Sequence, residues 1–241
     1  MKNSINSEFG NRNIDVITNC PLYLSIVQND MYYEDFVNRG LIRTAHRGDY
    51  KTIASEVYYR LLNFFTLEDS LQEKLDSIMR QWKDHYVVGL QIRVGLGNSA
   101  FLDNCKFLFE RDIDTFIYYA QYYSNRTSLK PLWFVSTDSP KVEEELTKRY
   151  PQYVFSIKDL PLKHTKSLVY QYSEPASQRA ILDNYLLSHS DLLLTTAWSS
   201  FGEIALGRMD SGNTIMITRS DPIFNPPPLV KFNRTEIWSC L

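Results

Sequence analysis

From residue 84 onward the chain repeats one pattern: a short, unbroken apolar run, then a longer stretch with helical spacing. The runs lie at 86–92, 132–136, 153–155, 192–195 and 214–217, the third being the weakest. Helical stretches fill 111–124, 140–149, 175–188 and 200–207. A strand that reads as a continuous apolar run is buried on both faces, as in parallel sheets covered by helices. Strands alternating with helices therefore predict an α/β fold, a doubly wound parallel sheet of Rossmann type. The chain before residue 84 reads differently. Ile53, Val57, Leu61, Leu62 and Phe65 predict a helix over 52–65. Thr66, with Asp69 three residues on, predicts an N-cap, and Leu71, Leu75, Ile78, Met79 and Trp82 carry a second helix from there. The expected organisation is a shortened, mostly helical N-terminal region (1–83), an α/β domain (84–220) and a Pro-rich tail (221–241) holding Pro226, Pro227 and Pro228.

Composition removes several function classes. The 241 residues carry 26 Lys+Arg against 28 Asp+Glu, so the chain lacks the basic excess of a nucleic-acid backbone binder. No apolar run approaches the roughly 20 residues of a membrane span, and the polar start has no signal-peptide core. A chain with no membrane span is expected, soluble as given. Cys20, Cys105 and Cys240 show no metal-ligand spacing; one disulfide with a spare thiol and three thiols both stay open. His46, His85, His164 and His189 lie too far apart for a zinc pattern, so no metal is expected. Asp112-Ile113-Asp114 resembles a metal-binding D-x-D but opens an apolar-periodic stretch, where helix N-terminal acids belong. The stretch 141–148 reads as a solvated helical face, and Tyr118, Tyr119, Tyr122 and Tyr123 as helix packing. The sequons at Asn125 and Asn233 are no more than chance gives for this Asn, Ser and Thr content.

Open α/β sheets bind ligands outside the carboxyl ends of their strands. Gln91-Ile92-Arg93 and the residues to Asn98 stand at the end of the first run, Ser136-Thr137-Asp138-Ser139 at the end of the second, and Thr195-Thr196-Ala197-Trp198-Ser199-Ser200-Phe201-Gly202 at the end of the fourth. One arginine fork, one acid and a hydroxyl-rich turn entering a helix suit a diphosphate-bearing nucleotide. In that reading Arg93 holds pyrophosphate oxygens and Ser199 and Ser200 bring hydroxyls and N–H groups. Asp138 then accepts from a ribose or base. The ordinary readings stand beside it: a structural salt bridge for Arg93, a plain N-cap for Ser199-Ser200, and a helix start for Asp138 ahead of Pro140. Gly95-Leu96-Gly97-Asn98-Ser99-Ala100 also formally matches the G-x-G-x-x-G/A dinucleotide fingerprint, which keeps an NAD-binding oxidoreductase as an alternative. Its expected acid about 20 residues later, on a second strand, is missing.

At these residues the sequence resembles the inverting, GDP-fucose-dependent fucosyltransferases, particularly the xyloglucan-type α1,2-fucosyltransferases of plants. More remotely it resembles the α1,6- and protein O-fucosyltransferases. The carriers are Val88 to Val94, Phe134-Val135-Ser136-Thr137-Asp138, and above all 180–188 through 195–202. The resemblance implies a GT-B-like fold and an enzyme moving L-fucose from GDP-fucose to a glycan hydroxyl, α1,2 to galactose. It implies no cofactor beyond the donor substrate, no metal, and residence in the Golgi lumen. Carried over by motif, Arg93 is the catalytic residue, neutralising the departing GDP. Asp138, Arg179, Ser199, Ser200 and Phe201 join it in binding GDP-fucose. After Arg93 the chain has Val94-Gly95 where the related motif often has an acid, so no catalytic base is assigned. The short N-terminal part leaves a second reading, an inactive GDP-sugar- or glycan-binding remnant of the same fold.

Overall fold

Five parallel strands form one sheet in the order β3-β2-β1-β4-β5: β1 His85–Ile92, β2 Lys130–Thr137, β3 Val154–Phe155, β4 Leu192–Thr196 and β5 Asn213–Ile217. This computed structural model describes residues 30–39, 59, 62, 65–95, 106–162, 173–209, 212–219, 227 and 229. Internal contacts divide the chain into two compact units, one of residues 1–65 with 233–241 and one of 66–232. In the first, helix α1 (Asp30–Asn38) buries Tyr33 and carries an exposed Asp35–Arg39 pair one turn apart, at 3.1 Å. Of the helix expected over 52–65, Tyr59 and Leu62 are helical and the other positions, except Phe65 in a bend, lie outside the described residues.

The second unit opens with helix α2 (Asp69–Trp82), which buries Leu71, Leu75, Ile78 and Trp82 as their spacing requires. Its N-cap is Glu68, not the expected Thr66, and the cap makes no side-chain bond. With the helix starting at Asp69, Thr66 stands two residues too early to reach the first-turn N–H groups. Trp82 instead pins the helix to the sheet, its ring 5.4 Å from that of Phe134 and 6.1 Å from that of Phe155.

Four further helices connect the strands: α3 Glu110–Ser124, α4 Pro140–Arg149, α5 Glu174–Ser188 and α6 Ser200–Arg208. Each matches its sequence-based stretch to within a residue. The doubly wound parallel sheet is thus the observed fold. Alternation along β1 sorts the two faces. Val88, Leu90 and Ile92 join Trp133, Val135, Leu192 and Leu194 in one apolar cluster with Phe116, Ile117 and Ala120 of α3 and Val142 and Leu146 of α4. Gly89 and Gln91 point the other way, towards α5 and α6. A Cβ on Gly89 would stand 2.4 Å from Ser190 Oγ, so only glycine lets the end of α5 come this close to β1. The chain runs β1, β2, β3 towards one edge, then crosses back to β4 and β5. The reversal leaves a crevice between the carboxyl ends of β1 and β4, the usual ligand position in this architecture.

Candidate functional site

The carboxyl ends of β1 and β4 are locked together by one buried amide. Gln91 pairs with Thr195 across the two strands. Its Oε1 accepts from Thr195 Oγ1 (2.7 Å) and from the Thr196 N–H (3.2 Å), while its Nε2 donates to Ser199 Oγ (3.1 Å). The Thr196 hydroxyl donates to the Gln91 carbonyl (3.1 Å) and accepts from the Arg93 N–H (2.9 Å). The strand that ends in Arg93 and the turn that starts α6 are therefore held in fixed relation. Gly202 makes room for this lock: a Cβ there would lie 2.0 Å from Thr195 Oγ1 and 2.8 Å from Gln91 Oε1. Gln91, Thr195 and Thr196 belong to the strand-end segments that the sequence points to, but their locking role is not expected from it; a polar Gln inside an apolar buried run is the visible signal.

Arg93 leaves β1 at the crevice, partly exposed, with its guanidinium carbon 5.1 Å from the centre of the Phe107 ring. Ser199 is the buried N-cap of α6, but its hydroxyl faces Gln91 and makes no cap bond to the helix. Ser200 is exposed at the first helical position, and Phe201 is half-buried, its carbonyl accepting from Asn184 Nδ2 at 2.9 Å. Arg93, Ser199, Ser200 and Phe201 are thus brought to one edge. A helix N-terminus with its dipole and N–H groups, at the same edge as an arginine whose backbone is tied to the turn before that helix, forms an arrangement that favours an anion. In the first turn of α6, burial pushes the Glu203 carboxyl above its ordinary range.

Trp198, in the turn between β4 and α6, has φ +59°, the one non-glycine positive φ among the described residues. A bulky side chain in that region costs on the order of 1–3 kcal/mol and persists only where neighbours over-determine the backbone.

Asp138 is placed differently from its expected role. It is buried at the end of β2, where Oδ1 accepts from the Val94 N–H (2.8 Å) and Oδ2 from the Gly95 N–H (3.0 Å). Each carboxylate oxygen thus takes one backbone N–H of the segment leaving Arg93, so the acid anchors that segment. The helix start at this point is capped by Ser139, whose hydroxyl accepts from the Val142 N–H. Beside it a cleft of about 360 Å³ is lined by Arg111, Asp114, Lys141, Glu145 and Arg149, with Arg149 3.1 Å from Glu145 and 3.8 Å from Asp114.

Arg179 spends its guanidinium away from the Arg93–Ser200 edge. Its side chain is 3% exposed. Nε donates to Asp183 (2.8 Å), Nη2 to Glu143 (3.0 Å), and Nη1 to the carbonyls of Ile157 and Leu160. Those donors point at protein acceptors because the fork ties α5 to α4 and to the segment after β3. Glu143 thereby leaves the solvated face expected over 141–148 and lies buried under the guanidinium. Asp183 in turn accepts from Ser136 Oγ at 3.0 Å. Burial pushes its carboxyl up to about 6, against the downward pull of Arg179.

Other expectations resolve around this edge. Asp112 is a helix acid, its carboxylate accepting the Phe109 N–H at 2.7 Å. Tyr119 and Tyr123 are buried in the core under α3, with Tyr118 and Tyr122 partly buried against it. Gly95 has φ +77°; the rest of the dinucleotide-like motif, and all three cysteines, lie outside the described residues. No helix among the described residues is long and apolar enough to cross a membrane, and none of their acids, cysteines and histidines cluster as a metal site.

Residues 53–214 match the family of alpha-(1,6)-fucosyltransferase N- and catalytic domains. Among solved structures, the fucosyltransferase NodZ from Bradyrhizobium is 15% identical, with a TM-score of 0.45, covering 75% of this chain and 52% of that one. The NodZ alpha-1,6-fucosyltransferase soaked with GDP-fucose gives the same identity, coverage and TM-score. An Arabidopsis thaliana FUT1 mutant in complex with GDP is 18% identical, with a TM-score of 0.43, covering 73% of this chain and 40% of that one. The chain therefore spans about half the length of the NodZ structures and less of the FUT1 structure. No curated protein matches it in sequence.

Proposed function

The chain belongs to the family of alpha-(1,6)-fucosyltransferase N- and catalytic domains, and from that premise we propose that it transfers L-fucose from GDP-fucose to a glycan hydroxyl with inversion at the sugar. The observation that carries this reading is the joint placement of Arg93 and the α6 N-terminus at the β1–β4 crevice, fixed by Gln91 and Thr196. Departure of GDP builds negative charge on the β-phosphate while the sugar acquires oxocarbenium character. In this reading the helix N–H groups, fixed in place, and the Arg93 guanidinium stabilise that charge. Ser200 adds a hydroxyl at the same end, with Phe201 next to it in the first turn of α6. Holding the acceptor hydroxyl on the opposite face of the sugar supplies much of the remaining rate. The proposed linkage is α1,2 to galactose, on the likeness of residues 195–202 to the plant-type enzymes.

The test is release of GDP from GDP-fucose over a panel of galactose- and N-acetylglucosamine-terminated acceptors, with calorimetry for GDP binding. Arg93→Ala should lose at least about 100-fold in rate, scaled on removal of one preorganised oxyanion donor. A variant that transfers at the wild-type rate with normal GDP affinity overturns the assignment. Linkage analysis of the product separates α1,2 from α1,6 transfer.

A further inference from the structure

Trp198 combines two features that do not help the chain fold. Its backbone lies in the left-handed region, which glycine enters freely and a bulky side chain does not. The residue is 62% exposed, although Ala197 and Ser199 on either side are buried. The turn is fixed by its neighbours: the Ala197 N–H donates to the Ile217 carbonyl (3.0 Å), the Ser199 N–H to the Thr196 carbonyl (3.3 Å), and Gln91 holds the Ser199 hydroxyl. A glycine would satisfy this backbone at lower cost, and the exposed ring recovers little by packing. Strain of this kind gathers where a side chain has to be presented to something.

We propose that Trp198 is a platform for the acceptor glycan, with one pyranose ring lying against its indole next to the transferred sugar; this rests on the fucosyl-transfer reading. Placement argues for a sugar over a nucleobase. Trp198 stands two residues before the first helical residue of α6, whose N–H groups face the diphosphate in that reading. The group bonded to the β-phosphate is the sugar, whereas a guanine is set off by the α-phosphate and the ribose. A residue mostly in solvent is open to an incoming acceptor, while the donor's fucose is flanked by its own diphosphate. The flat apolar face of indole matches the C–H face of a pyranose, and its N–H remains available to a sugar hydroxyl.

The test uses the full chain with GDP, GDP-fucose and the galactose- and N-acetylglucosamine-terminated oligosaccharides. Trp198→Ala should raise the acceptor KM about tenfold, the loss of one aromatic stacking contact, with kcat and the GDP Kd within about twofold of wild type. Trp198→Phe should restore most of the acceptor affinity. Trp198→Gly should lose the acceptor like alanine yet melt at a higher temperature than alanine, because glycine relieves the positive φ. An unchanged acceptor KM, or a weakened GDP Kd at constant acceptor KM, overturns the platform. If the wild-type chain neither binds GDP nor releases it, the fucosyl-transfer reading falls by itself. Oligosaccharide titration of tryptophan fluorescence then decides the platform: quenching lost in Trp198→Ala supports it, and no quenching in wild type overturns it.

Discussion

The two faces of β1 do different work. On one, Val88, Leu90 and Ile92 meet α3 and α4 in an uninterrupted apolar cluster. On the other, Gly89 and Gln91 meet α5 and α6, and the layer nearest the carboxyl edge is polar: Gln91, Ser136, Asp183, Thr195 and Ser199, all buried. Apolar contacts are non-directional and scale with buried area, so the first face contributes stability without fixing any atom closely. Hydrogen bonds to a buried amide are directional and costly to leave unmade. The second face therefore sets where Arg93 and the α6 N-terminus stand relative to one another.

That division breaks most visibly if truncation on the apolar face damages the site itself. Phe116 is fully buried under β1. Phe116→Ala should destabilise the chain by about 3–5 kcal/mol, transfer loss plus cavity, measured from urea midpoints at constant m. GDP affinity per folded molecule should stay at the wild-type value. A large drop in affinity would show that the apolar face also positions the site.

The opposite result is expected from Gln91→Leu, which keeps the volume nearly constant. It strands the Thr195 hydroxyl, the Thr196 N–H and the Ser199 hydroxyl in a buried layer, costing about 1–3 kcal/mol. It also frees the α6 N-terminus to shift against Arg93, for which a rate loss on the order of 10–100-fold is expected. Stability lost at unchanged turnover would reduce Gln91 to ordinary core polarity.

Much of this organisation was legible in the chain. The apolar runs fell on the five strands because buried parallel strands carry hydrophobic side chains on both faces, and Pro140 and Ser139 marked the start of α4 as their local chemistry dictates. The site was half legible. Strand ends and a hydroxyl-rich turn pointed to Arg93 and Ser199–Phe201, because position after a strand is a property of local sequence. Whether a given side chain meets a ligand or another part of the protein depends on contacts far apart in the chain. Asp138 and the Val94 N–H are 44 residues apart, and Arg179 and Glu143 are 36 apart. No local pattern foretells those pairings. The strain at Trp198 was equally hidden, since nothing in Ala197-Trp198-Ser199 announces a positive φ.

A smaller effect sharpens the role of the polar edge. Asp138→Asn keeps the shape but turns one N–H acceptor into an NH₂ facing the Val94 or Gly95 N–H. Loss of about 1–2 kcal/mol is expected. Turnover should fall by about tenfold, carried in kcat, while GDP affinity changes little, since the acid holds the segment and not the nucleotide. GDP affinity falling in step with kcat would return Asp138 to direct contact with the donor.

The last test asks whether the buried charges behind the site cost stability or add to it. Arg179 faces two acids, Glu143 and Asp183, and Lys158 reaches Glu143 only from the exposed side, at 3.4 Å. Burial, together with the neighbouring Glu143 charge, outweighs the guanidinium at Asp183 and places its folded pKa at about 6, above the roughly 3.9 of an unfolded aspartate. Between those values the folded chain holds the proton more tightly than the unfolded one. The stability from this group is then fully present below about pH 4, falls as pH rises through about 6, and is level above it. Urea midpoints at pH 4.5 and 6.5 for wild type and Asp183→Asn isolate the effect, because every other titrating group is common to both. Wild type should lose ground to the variant as pH rises. If it gains ground instead, the Arg179 pairing outweighs burial, and the polar face contributes to stability as well as to position.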